Sequence, residues 1–190
     1  MNTMNDNSHT KPARIYNELA ICNAVEDGDF LRIEGYAAHF QKANLNQERV
    51  KKSSFDEFFE LYNAGKLIPG LNWNHDPNLY IGGIDELTAK RDGLYMKAHL
   101  NRSVAIVRDM LIPNILAKDI SGLSTEGFVD WNDIEYLDDG TYMCNKFILT
   151  NVAVVKNPAD PDAAFTFANI LQNAPKPEPE TPAKPWIHLL

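Results

Sequence analysis

Along most of the chain, apolar and polar residues take turns, and in two stretches the apolar ones recur at helical spacing instead. Leu94, Met96, Ala98 and Leu100 alternate with Tyr95, Lys97, His99 and Asn101, the period of a strand with one face buried and His99 on its solvated side. β-branched and aromatic content predicts further strands over 15–24, from Phe30 to Phe40 with a bulge at Gly35, and over 79–89. In the last of these the pair Gly82-Gly83 marks a close approach of another backbone. Tyr142 to Val155 is a long β run that predicts one central strand. Glu26-Asp27-Gly28-Asp29 and Arg91-Asp92-Gly93 read as turns, the second closing a hairpin.

The first helical stretch opens at Ser54, which has capping-box spacing to Glu57. Phe55, Phe58, Phe59 and Tyr62 form its apolar stripe, and Gly65 stops it. Ser103 is expected to cap a second helix carrying Val104, Val107, Met110, Leu111 and Ile115, with Pro113 and Asn114 near its end. Gln41 to Lys52 reads as a polar, mobile connection, and the segment after Val129 as turn-rich. Strand richness and the lack of alternation with helices count against an α/β-hydrolase fold.

At 190 residues the chain suffices for one core with tails. The expected division is a disordered arm over 1–14, one domain over 15–168, and a proline-rich tail or linker over 169–190. A net charge of -8 without a basic patch argues against nucleic acid and anionic membrane as partners. No apolar run approaches the roughly 20 residues that span a bilayer, and the polar start lacks a signal-peptide core. A soluble, cytoplasmic protein is expected. Cys22 and Cys144 make neither a disulfide framework nor a ligand pair.

Chemistry concentrates in two stretches. In Leu71-Asn72-Trp73-Asn74-His75-Asp76-Pro77, an imidazole suited to general-base work stands between two side chains able to hydrogen-bond it. In Ile120-Ser121-Gly122-Leu123-Ser124-Thr125-Glu126-Gly127-Phe128, a hydroxyl stands among glycines. A hydroxyl nucleophile needs a base, and the base needs a third group to hold its tautomer. The frame around Ser124 is one residue too long for the nucleophile elbow of α/β-hydrolases. The five histidines lack metal-ligand spacing, so no metal is expected.

The chain resembles the prohead maturation proteases of tailed bacteriophages, distant relatives of the herpesvirus assemblin serine proteases. Four motifs carry the resemblance, in order. They are Gly35-Tyr36-Ala37-Ala38-His39-Phe40, Leu71 to Asp76 followed by Ile81-Gly82, Gly122-Leu123-Ser124 with Gly127-Phe128, and Asn151 to Val155 running into Asn157-Pro158-Ala159. The resemblance implies an α+β fold, a mostly antiparallel β-barrel-like sheet flanked by a few helices. It implies a serine endopeptidase with Ser124 as nucleophile and His75 as general base, working without a cofactor. By the family's register Asn151 takes the third position, where relatives carry an acid; Asp76 and Glu126 are the local alternatives. Backbone N–H groups near Ser124 are the expected oxyanion donors. The implied substrates are scaffold, major capsid protein and the protease itself. Self-association inside the assembling procapsid, in the bacterial cytoplasm, is implied as well. A catalytically inactive scaffold or capsid-assembly module of the same fold is the alternative.

Overall fold

The computed structural model describes residues 13–156. The proline-rich tail, the Asn157-Pro158-Ala159 motif and all of the predicted arm but Ala13 and Arg14 lie outside the described residues. Seven strands close into a barrel in the order β1 (Ala13–Asp27), β2 (Phe30–His39), β6 (Gly93–Asn101), β5 (Tyr80–Ala89), β4 (Gly70–Trp73), β10 (Ile148–Val155) and β7 (Gly122–Val129). Every barrel pair is antiparallel except β4 with β10. A second sheet has the order β3 (Glu48–Val50), β9 (Tyr142–Cys144), β8 (Ile134–Tyr136). The α+β, mostly antiparallel barrel expected from the sequence is the fold observed.

The period-2 pattern of β6 is realised: Leu94, Met96, Ala98 and Leu100 are buried in one core with Leu31, Ile33, Leu71, Ile81, Leu123, Val152 and Val154. His99 differs from its reading as a solvated residue. Its ring is half-buried edge-on to Phe30, with Nδ1 2.6 Å from Asp85 Oδ1. The bulge in β2 falls at Ala37 rather than Gly35, since the pairing with β6 slips between Tyr36 and Ala38.

Gly82 faces the backbone of β6, where a Cβ would overlap the His99 carbonyl oxygen. A backbone atom held in a ladder cannot swing aside as a side chain can. Gly82→Ala is therefore expected to destabilise the chain by about 3 kcal/mol, read as a fall in the urea midpoint. An unchanged midpoint would show that the two strands can separate there at little cost.

A 3₁₀ turn over Lys52–Phe55 leads into α1 (Asp56–Asn63). Ser54 does not act as the predicted cap of this helix. Its Oγ accepts from Lys51 N–H at 3.0 Å and donates to the Cys144 carbonyl at 2.6 Å, tying the turn to β9. Phe55 and Phe58 are fully buried, and Phe55 meets Phe147 at a centroid distance of 5.3 Å. Gly65 ends the segment at φ 67°.

The second helical segment is a π-helical turn over Val107–Leu111 followed by α2 (Ile112–Leu116). Pro113 has no N–H to give, and its ring would press on the carbonyl of Asp109; the wider turn before it removes that conflict. The expected cap, Ser103, does not cap it: its N–H donates to Asn101 Oδ1 at 2.9 Å in the turn that precedes the helix, and no side chain caps the π-helical turn.

Two β readings need correction because their partners are remote in sequence. The connection Gln41–Lys52 is ordered: Glu48–Val50 pairs in parallel with β9, and Glu48 is fully buried. The run from Tyr142 to Val155 is two strands in two sheets. Between them Asn145 N–H donates to the Asp133 carbonyl at 2.7 Å and Phe147 N–H to the Ser54 carbonyl at 2.7 Å, which turns the chain out of one sheet into the other. Cys144 is buried beside Glu48, and burial first, then that carboxylate, pushes its thiol pKa up, which makes it unreactive.

Candidate active site

β7 carries the site, and it does so by strand alternation. Leu123 and Thr125 point to one face of the sheet, Ser124 and Glu126 to the other. Side chains two apart on an extended strand stand about 6.7 Å apart, a gap that one imidazole can bridge. In register, Ser124 lies beside Ala153 of β10, which lies beside Asn72 of β4. The next row on the same face is Glu126, Asn151 and Gly70.

His75 comes to this face from the turn after β4. Asn74 N–H donates to the Val154 carbonyl at 3.0 Å, Asp76 N–H to the Trp73 carbonyl at 3.0 Å, and Leu79 N–H to the Asp76 carbonyl at 3.1 Å. The tightness of the turn puts Asn74 and His75 in the left-handed region, at φ 53° and 60°. Each costs of the order of 1 kcal/mol, and Asn and His are among the residues that tolerate it best. The result is a ring folded back over the sheet, 49 positions from the serine in sequence, with Nε2 2.7 Å from Ser124 Oγ. On its other side Nδ1 is 3.6 Å from Glu126 Oε2.

The surroundings are dry. Ser124 is fully buried and Glu126 is 4 % exposed. Burial pushes the His75 pKa below its ordinary value, and the charge and hydrogen bonding of Glu126 oppose that without overcoming it. The ring is therefore neutral at neutral pH. A carboxylate can only accept, so Nδ1 carries the proton toward Glu126 and Nε2 offers its lone pair to the Ser124 hydroxyl.

Asn151 stands in the row beside Glu126, but its amide nitrogen lies 3.4 Å from Thr150 Oγ1 and makes no hydrogen bond to His75. Thr150 is the extra residue of a bulge, where the pairing of β10 with β7 slips between Leu149 and Asn151. Its hydroxyl donates to the Glu126 carbonyl at 3.1 Å. Asp76 is engaged in its own turn, with Oδ1 accepting from Asn78 N–H at 2.9 Å. The structure thus brings Ser124, His75 and Glu126 together. The signal for Glu126 was available in the sequence as Ser-x-Glu, once that segment is read as a strand rather than a glycine-rich turn. The amides next to Ser124 differ from the expected oxyanion donors: β7 is paired to β1 on one flank and β10 on the other, so its backbone serves the ladder. Among the described residues no cluster of three His, Cys, Asp or Glu could hold a metal.

A buried hydroxyl, a neutral imidazole and a carboxylate lie in line on the face of a closed barrel, the kind of arrangement by which a hydroxyl can be activated as a nucleophile. Residues 19–176 match the family of caudovirus prohead serine proteases, and the chain belongs to that family. It is a serine protease of phage procapsid maturation. The capsid assembly protease of bacteriophage T4 has a similar structure, with a TM-score of 0.61 and 20 % sequence identity over 78 % of this chain and 99 % of that one. A comparison with curated protein sequences finds no match. A prohead protease acts inside the procapsid, on phage capsid and scaffold proteins. No helix of the described residues is long and apolar enough to cross a membrane.

Proposed function

We propose that Ser124 is the nucleophile of this protease, His75 its general base and Glu126 the group that orients His75. The observation that carries this reading is the 2.7 Å contact between His75 Nε2 and Ser124 Oγ. Oγ attacks the peptide carbonyl carbon while its proton passes to Nε2. The tetrahedral intermediate collapses as the same proton is delivered to the leaving amine, leaving an acyl-enzyme. Water, deprotonated by Nε2, then attacks the ester carbonyl and frees Ser124. Glu126 compensates the imidazolium that forms in each half-reaction, in a site where a bare cation would be poorly solvated. The chain's own residues supply every proton transfer.

In this reading the substrates are scaffold and extensions of the major capsid protein, and the protease also cuts itself. It associates with its own copies inside the procapsid as the shell assembles in the bacterial cytoplasm.

A fluorophosphonate tests the site without a natural substrate, because it forms a covalent bond only with an activated serine. One adduct per chain, mapped by mass to Ser124, is expected. The reactive form has neutral His75, so the labelling rate should fall as pH drops through the His75 pKa. Since that pKa is lowered, the fall should come below the ordinary histidine value of 6.5. A chain that resists labelling across neutral and alkaline pH would instead be the inactive assembly module.

A further inference from the structure

On the site face of β7 three side chains follow one another, Ser124, Glu126 and Phe128. Gly127 confirms the sense of the alternation. A Cβ there would overlap the buried Phe147 ring, so Gly127 faces the core and Phe128 the site. Ser124 is fully buried and Glu126 nearly so, but Phe128 is 42 % exposed. Directly opposite it on β10 stands the half-buried Ile148. A lone exposed phenylalanine is ordinary. This one lies on a strand paired along both flanks, one outward position beyond the carboxylate of the site. Apolar surface left wet beside a binding site is surface for another molecule to cover.

The activity of the family names that molecule, because a polypeptide must lie across Ser124 for its carbonyl to be attacked. Ser124 and Phe128 are about 13 Å apart along β7, a distance that an extended peptide covers in about three or four residues. We propose that Phe128, flanked by Ile148, is a specificity-determining residue of this protease. It takes a large apolar side chain of the substrate, leucine, isoleucine, methionine or phenylalanine, about three or four residues from the scissile bond. The inference rests on Ser124 being the nucleophile. A contact so far from the reacting bond adds to peptide binding and leaves the reactivity of the serine itself alone. The other large exposed ring on this face, Tyr80, lies over Gly70 at the far end of the row of Glu126, two strands from β7. It serves as the comparison.

The test reads how far peptides protect Ser124 from a small fluorophosphonate, which needs binding but no cleavage. Two pools of capped random octapeptides are used, one of all residues and one without leucine, isoleucine, valine, methionine and phenylalanine. The full chain is compared with Phe128→Ser, Phe128→Leu, Tyr80→Ser and, on the second sheet, Tyr136→Ser. In wild type the complete pool should protect at about tenfold lower concentration than the apolar-free pool, the effect of covering about half a phenylalanine. That difference should vanish in Phe128→Ser and persist in Phe128→Leu, Tyr80→Ser and Tyr136→Ser. Labelling without peptide should proceed at the wild-type rate in Phe128→Ser, which also shows that this variant folds. Equal protection by both pools in wild type overturns the proposal. So does a difference that survives in Phe128→Ser, or one that is lost in Tyr80→Ser instead. Should wild-type chain fail to label at all, the assignment of Ser124 itself falls, and this inference with it.

Discussion

Ser124→Ala is expected to abolish peptide-bond cleavage while leaving the fold intact. Loss of the nucleophile in a Ser-His-acid site costs of the order of 10⁶ in kcat, because no other group forms the acyl intermediate. The structural cost is small by comparison. Ser124 Oγ bonds to a ring that is itself partly exposed, with 17 % of the His75 side chain accessible. Removing one neutral hydrogen bond of that kind costs about 1 kcal/mol, and alanine fits a strand position already flanked by Ala153. Intact-mass analysis of freshly expressed protein is the direct measurement. Wild-type chain should shorten, the variant should keep its full mass, and both should melt at similar temperatures. Shortening of the variant at the wild-type rate would move the nucleophile elsewhere.

Glu126→Gln should have the next largest effect, a loss of about 10³ to 10⁴ in turnover. The substitution is nearly isosteric, so its effect is electronic. A glutamine amide can donate to Nδ1, which favours the tautomer with the proton on Nε2, and that tautomer cannot accept from Ser124. Even with the correct tautomer, the imidazolium would lose its countercharge. Glu126 raises the His75 pKa against the effect of burial. Without it burial acts alone, so the residual activity should persist to lower pH than in wild type. Asn151→Ala, on β10 opposite Glu126, should cost only a few-fold, since its amide is directed to Thr150. The pair of variants is decisive in combination. A severe loss at Asn151 with a mild one at Glu126 would reverse the assignment.

These two residues also show where sequence reasoning reached its limit. Glu126 and Asn151 are both two or fewer positions from a recognisable motif, and either could supply an oxygen to an imidazole. What separates them is where each side chain goes: Asn151 pairs with Glu126 across the ladder and turns its amide to Thr150, while the Glu126 carboxylate faces the histidine. Neither direction has a signature in the alternation of the strands.

Strand and helix positions were legible because burial on one face imposes a local period, as at Leu94 to Leu100 and Phe55 to Tyr62. Ser124 and His75 were legible because each lies in a short ordered motif. Closure of the barrel through β1 and β7, the second sheet that splits Tyr142 to Val155, and the choice of Glu126 as the neighbour of His75 belong to the tertiary structure alone. Alternation states that a residue faces the core or the solvent. Only pairing between distant strands states which residue it faces there.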